Sequence, residues 1–128
     1  MTPITRTILI VEDESELLSV LSDKFKSENF EVVTAQDGQA GLDAALTKKP
    51  NIILLDIVLP KMDGMTMLQK LREHPEGRKL PVIVLTNLSD SEKVYEAVNN
   101  DAYDFLVKAD WTIEDLYRKV MERLAPAT

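Results

Sequence analysis

Residues 51–64 read NIILLDIVLPKMDG. Four aliphatic residues, 52–55, run without alternation into Asp56, and a loop carrying Pro60 and Gly64 follows. An unbroken apolar run of this kind is how a strand buried on both faces of a parallel sheet reads. The carboxylate that ends it then sits at the carboxyl edge of the sheet. Two further runs have the same form. ILIV at 8–11 leads into Glu12, Asp13 and Glu14, and VIVL at 82–85 leads into Thr86 and Asn87. The less apolar runs 31–34 and 105–107 suit strands nearer the edges, and the second of them leads into Lys108.

Between these runs apolar residues recur at helical spacing. Leu17, Leu21 and Phe25, widened by Leu18, make one stripe; Leu42, Ala45 and Leu46 make a second. Met65, Leu68 and Leu71 follow, then Val94, Ala97 and Val98, then Ile113, Leu116, Val120 and Leu124. Ser89 with Glu92 reads as a capping box, and Thr112 with Asp115 is a near match. The order is strand then helix, five times. Right-handed crossovers turn that order into an α/β fold, a doubly wound five-stranded parallel sheet with helices on both faces. The flavodoxin-like strand order 2-1-3-4-5 is the expected one.

The 128 residues fit one domain, and a hydrophobic fraction of 45% supports a packed core rather than disorder. A net charge of -7 disfavours direct binding to nucleic acid or to an anionic membrane surface. The absence of cysteine excludes disulfides and thiolate metal sites. No apolar run is long enough for a signal peptide or a membrane span, so a cytoplasmic location is expected. Residues 1–5 and 125–128 are expected to be flexible ends. With no output domain after residue 128, the chain reads either as a stand-alone domain or as one cut from a longer protein.

Ligands of such sheets bind at the carboxyl ends of the strands, where the winding changes direction. There the sequence places Glu12, Asp13, Asp56, Thr86 and Lys108. Two carboxylates ~4 Å apart repel by about 4 kcal/mol at an effective dielectric near 20. Three together therefore call for a proton or a cation. An all-oxygen ligand set suits Mg²⁺, with Mn²⁺ as an alternative, and Mg²⁺ keeps open positions for a phosphate. Lys108 can serve as a point charge on a phosphoryl oxygen and Thr86 as a hydrogen-bond donor. A carboxylate at a strand end can itself accept a phosphoryl group as an acyl phosphate.

With ILIVEDE, LLDIVLPKMDG, VIVLTN and DAYDFLVK in this order, the chain resembles the receiver domain of two-component response regulators over nearly its whole length. The resemblance implies that Asp56 is the phosphoacceptor. It implies Asp13, Asp56 and the backbone carbonyl of Val58 as direct Mg²⁺ ligands, with Glu12 acting mainly through a metal-bound water. It implies Thr86 and Lys108 as phosphoryl-binding residues, with Thr86 and Phe105 as the switch pair. The implied partners are a histidine kinase or phosphotransfer protein as donor and a downstream output protein or domain. The chain would not be an enzyme beyond its own phosphotransfer and autodephosphorylation.

Three positions depart from the family pattern: Asn87 in place of a small residue, Asp101 in place of glycine, and Ala109 in place of proline. A cis bond before Ala109 would cost ~2.5–4 kcal/mol, against ~0.5–1 before proline, so a trans peptide is expected there. Val58, Leu88 and the bulk of Asn87 predict slow hydrolysis of the acyl phosphate. An Asp-nucleophile, Mg²⁺-dependent phosphohydrolase is the alternative, but such enzymes want a second acid where Val58 stands. A flavin or nucleotide binder would want Gly, Ser and Thr in the first loop, where VEDESE is acidic. A pseudo-receiver used only for binding would have lost Asp56, Thr86 or Lys108. Gly64 reads as a turn residue at positive φ, His74 as solvated, and Met65 and Met67 as helix packing. Trp111 and Tyr95 suit either core or an interaction face.

Overall fold

The computed structural model describes residues 6–86, 104–107 and 112–124, without the side chains of Thr86 and 104–107. Five strands, β1 (Thr7–Val11), β2 (Glu31–Ala35), β3 (Ile52–Asp56), β4 (Val82–Thr86) and β5 (Asp104–Val107), form one sheet in the order β2-β1-β3-β4-β5. Every neighbouring pair is parallel. The two runs read as less apolar are the two edges.

Three helices occupy the first three crossovers: α1 (Ser15–Ser27), α2 (Gly38–Lys48) and α3 (Gly64–Glu73), the last followed by a 3₁₀ turn (Pro75–Gly77). A C-terminal helix (Ile113–Leu124) closes the order. The stripe at Val94, Ala97 and Val98, the Ser89 cap, Tyr95, Trp111 and the Lys108–Ala109 peptide lie outside the described residues.

Strand alternation divides the side chains between two cores. Leu9, Val11, Ile53, Leu55, Val82 and Val84 face α2 and α3, meeting Leu42, Ala45, Met65, Leu68 and Leu71. Ile8, Ile10, Ile52, Leu54, Ile83 and Leu85 point the other way, to Leu18, Leu21 and Phe25 of α1 and to Leu116 and Val120 of the C-terminal helix. These strand residues are fully buried, which is why their runs show no polar alternation. Each such aliphatic side chain contributes about 1.5–3 kcal/mol on burial.

Polar caps fix where α2, α3 and the C-terminal helix begin. Asp37 accepts from the Ala40 N–H (2.7 Å) and Asp63 from the Thr66 N–H (2.8 Å). Thr112 and Asp115 exchange bonds at 3.0 and 3.1 Å, so the near match to a capping box is a working one. Gly64 differs from its sequence reading. It is the first residue of α3, and the described non-glycine residues with positive φ are Asn29, Lys49 and Lys61, with no glycine among them. Glycine is needed at 64 for closeness: a Cβ there would overlap the Asp56 carbonyl oxygen and lie 2.9 Å from the Ile57 Cα. His74 is exposed and Met65 and Met67 are buried, as their sequence context indicates.

Candidate functional site

The central strands β1 and β3 pair as far as Val11 with Leu55, so Glu12 and Asp56 follow at adjacent places on the carboxyl edge. The Glu12 N–H still donates to the Ala35 carbonyl (3.0 Å), which extends the β1–β2 ladder by one residue and fixes the chain as it leaves the sheet. Asp13 turns outward, and its N–H donates to Glu12 Oε2 at 3.0 Å. Glu12 is fully buried and Asp56 is 4% exposed, while Asp13 is exposed.

One carboxylate oxygen from each of Glu12, Asp13 and Asp56 lies within 4.8 Å of the others. At that separation an ionised pair repels by roughly 3 kcal/mol at an effective dielectric near 20. Three converging oxygen donors, two of them withdrawn from bulk water, make a donor set that fits a hard divalent cation. A soft or thiophilic metal has no ligand here, since the chain contains no cysteine.

The loop after Asp56 returns to α3 through Gly64, whose N–H donates to the Ile57 carbonyl at 2.8 Å. Val58 lies on this loop and is 52% exposed. Thr86 ends β4 one residue beyond Leu85, which pairs with Asp56. It therefore belongs to the same edge. Val107 of β5 pairs with Thr86, and Phe105 pairs with Val84. The side chains of Thr86 and Phe105, and the whole of Lys108, lie outside the described residues. So do Asn87, Leu88 and Asp101.

Sequence reasoning missed the neighbour of this loop. Gly38, at the start of α2, stands so close to Met62 that a Cβ would overlap the Met62 carbonyl oxygen and lie 2.6 Å from its carbon. Beside it Lys61 Nζ lies 3.7 Å from Asp37 Oδ2. The Asp-Gly pair at 37–38 was the available signal: an N-cap followed by a residue without a side chain.

A parallel sheet in this order, with acids gathered at its carboxyl edge, is the arrangement expected of the receiver domain of two-component response regulators. The chain belongs to that family: the family model described as the response regulator receiver domain matches residues 8–121. Among curated relatives, the response regulator PleD of Caulobacter vibrioides is 39% identical over 101 residues, covering 79% of this chain and 22% of PleD. The response regulator ArlR of Staphylococcus aureus is 36% identical over 113 residues, covering 88% of this chain and 50% of ArlR. The chain thus spans half or less of these relatives.

Solved structures agree. A CheY-like response regulator receiver domain protein from Methanospirillum hungatei has a TM-score of 0.87 at 27% identity, covering 94% of each chain. The receiver domain of the sensor histidine kinase PA1611 from Pseudomonas aeruginosa has a TM-score of 0.85 at 25% identity, covering 94% of this chain and 98% of its own. That structure carries a magnesium ion coordinated in its active-site cleft. No described helix is long and apolar enough to cross a membrane.

Proposed function

We propose that this receiver domain is a phosphorylation switch with Asp56 as its phosphoacceptor. A carboxylate oxygen of Asp56 attacks the phosphorus of a phosphohistidine on a histidine kinase or phosphotransfer protein. A P–O bond forms as the N–P bond breaks, and the leaving imidazole nitrogen keeps the electron pair. Asp13, Asp56 and the Val58 carbonyl would hold Mg²⁺, with Glu12 acting through a bound water; Mn²⁺ suits the same ligands. When bound, the ion supplies positive charge to the phosphoryl oxygens. Thr86 donates to a phosphoryl oxygen, and Lys108 balances the added charge.

The burial of Asp56 gives its oxygen little freedom to leave the line of attack, which is the orienting effect such transfers use. Phe105 then follows Thr86, and the surface offered to an output protein or domain changes. To carry a population from 1:99 to 99:1 phosphorylation must favour the active state by ~5.5 kcal/mol. A cytoplasmic location goes with this reading. So does a regulatory rather than an enzymatic role.

The observation that carries the proposal is the convergence of Glu12, Asp13 and Asp56 within 4.8 Å, two of them buried. Mass spectrometry after incubation with acetyl phosphate and Mg²⁺ tests it. Wild type should gain one phosphoryl group and keep it for minutes; Asp56→Asn should gain none. Labelling of both proteins would move the site elsewhere. Loss of the wild-type label within seconds, with no phosphatase present, would refute the slow hydrolysis.

A further inference from the structure

We infer that Gly38 is a positioning residue for the metal-binding loop. It lets the first turn of α2 lie against the backbone at Met62, and this contact holds the loop that carries Val58. The inference rests on the proposed Mg²⁺ site and adds to it a residue on a different helix, which supplies no ligand.

The loop 57–63 is held at two places. At its far end the Gly64 N–H donates to Ile57 (2.8 Å), and Asp63 caps α3 through Thr66 (2.8 Å). At its tip Lys61 takes a φ of 65° and the Met62 N–H turns back to the Pro60 carbonyl at 2.7 Å. This tight tip rests on Gly38. A Cβ at 38 would overlap the Met62 carbonyl oxygen, and would lie 2.6 Å from its carbon and 2.9 Å from the Met62 Cβ. The first two are backbone atoms, so no rotamer change can make room. The Lys61–Asp37 ion pair spans the same junction, but its lysine is largely exposed and adds little.

The helix cannot easily withdraw instead. One turn along, Gly41 packs on Val11, where a Cβ would meet both methyl groups at 2.9 Å; Leu42 and Ala45 are buried in the same core. A side chain at 38 must therefore displace the loop. Because the Gly64 end is bonded to Ile57, the displacement falls on the stretch between them, which includes Val58. Mg²⁺ demands near-ideal octahedral geometry with ligands at roughly 2.0–2.1 Å, so it is sensitive to such a shift.

Gly38→Ala tests this, and the sign of the local effect makes the test sharp. Gly38 does not have positive φ, so alanine fits its backbone, and alanine favours a helix over glycine. Without the loop contact the change should be neutral or stabilising. We expect the Mg²⁺ dissociation constant, measured by calorimetry, to rise on the order of tenfold, as when a metal ligand loses its outer support. Ala45→Gly weakens α2 without adding bulk near the loop, and should leave the Mg²⁺ affinity unchanged.

A second measurement needs only the wild type, and serves if Gly38→Ala does not fold. Metal binding should slow local amide exchange at Met62 and Gly64 and also at Ala40 and Gly41, since coupling between sites is reciprocal. Fraying amides in the last turn of α2 should keep their rates. A folded Gly38→Ala protein with wild-type affinity, or protection confined to the loop, would overturn the inference alone. A wild type that binds no Mg²⁺ would overturn the proposed function and this inference together.

Discussion

Asp13 and Glu12 are neighbours in sequence, yet they meet different surroundings. Glu12 is fully buried and accepts the Asp13 N–H, whereas Asp13 reaches water. That an acid follows the runs 8–11 and 52–55 was legible, because each run itself places the next residue at the sheet edge. Which acid turns inward was not, since residue types do not record how a chain leaves its strand. Gly64 carries the same lesson: a loop glycine can serve positive φ or a close approach, and only coordinates separate the two. Asp13→Asn removes one of three clustered charges at nearly constant size. The metal-free variant should melt higher than metal-free wild type, because repulsion is relieved. Mg²⁺ should then raise its Tm less than it raises that of wild type, because stabilisation by a ligand follows its affinity. Thermal scans in EDTA and in Mg²⁺ read both differences. A metal-free variant that melts lower would show that repulsion does not dominate the site.

Among the elements, strand identity was the most legible, because complete burial leaves a run with no alternation. The docking of the C-terminal helix on α1 was not. Lys24 contacts Glu28 (3.3 Å) and, 90 residues away, Glu114 (2.8 Å), and it stands 4.8 Å from the centre of the Tyr117 ring. Lys24 and Glu28 stand at i,i+4 on α1, but no local pattern joins Lys24 to Glu114 or Tyr117. The Glu114 hydrogen bond holds the Lys24 ammonium above its ordinary value of 10.5, and a hydrogen bond to Glu28 holds the Tyr117 phenol above 10.0. Both groups bind their proton more tightly when folded. What they contribute is therefore complete below those values and is lost only as pH rises through the raised ones. Asp115 behaves in the opposite way. The Thr112 backbone N–H holds its carboxyl below the ordinary 3.8, so its contribution is present above that value and is lost as pH falls through the lowered one. Urea midpoints of wild type and Asp115→Ala should therefore differ by a constant amount from about pH 5 to about pH 8, and converge below about pH 4. A gap that persists into strong acid would mean that the cap does not depend on the charge.

At the scale of the whole molecule, the acids of the site come from β1 and β3, and these two strands serve both cores. Ile8, Ile10, Ile52 and Leu54 pack on one face, and Leu9, Val11, Ile53 and Leu55 on the other. Neither face can unfold and leave the acids in place, because each strand would lose every second side-chain contact. Metal binding at this edge is thus linked to unfolding of the entire sheet rather than of one layer. A single domain of this size commonly unfolds in one step, and a ligand bound only by the folded state stabilises that step by RT ln(1 + [L]/Kd), about 2.7 kcal/mol at a hundredfold excess over Kd. The slowest-exchanging amides of α1 and of α2, on opposite faces, should therefore gain the same protection when Mg²⁺ is added. They should also gain it with the same dependence on Mg²⁺ concentration. Hydrogen exchange followed by NMR measures both in one sample. Protection gained by α2 alone would mean that the two cores open separately, and that the central strands do not join them into one cooperative unit.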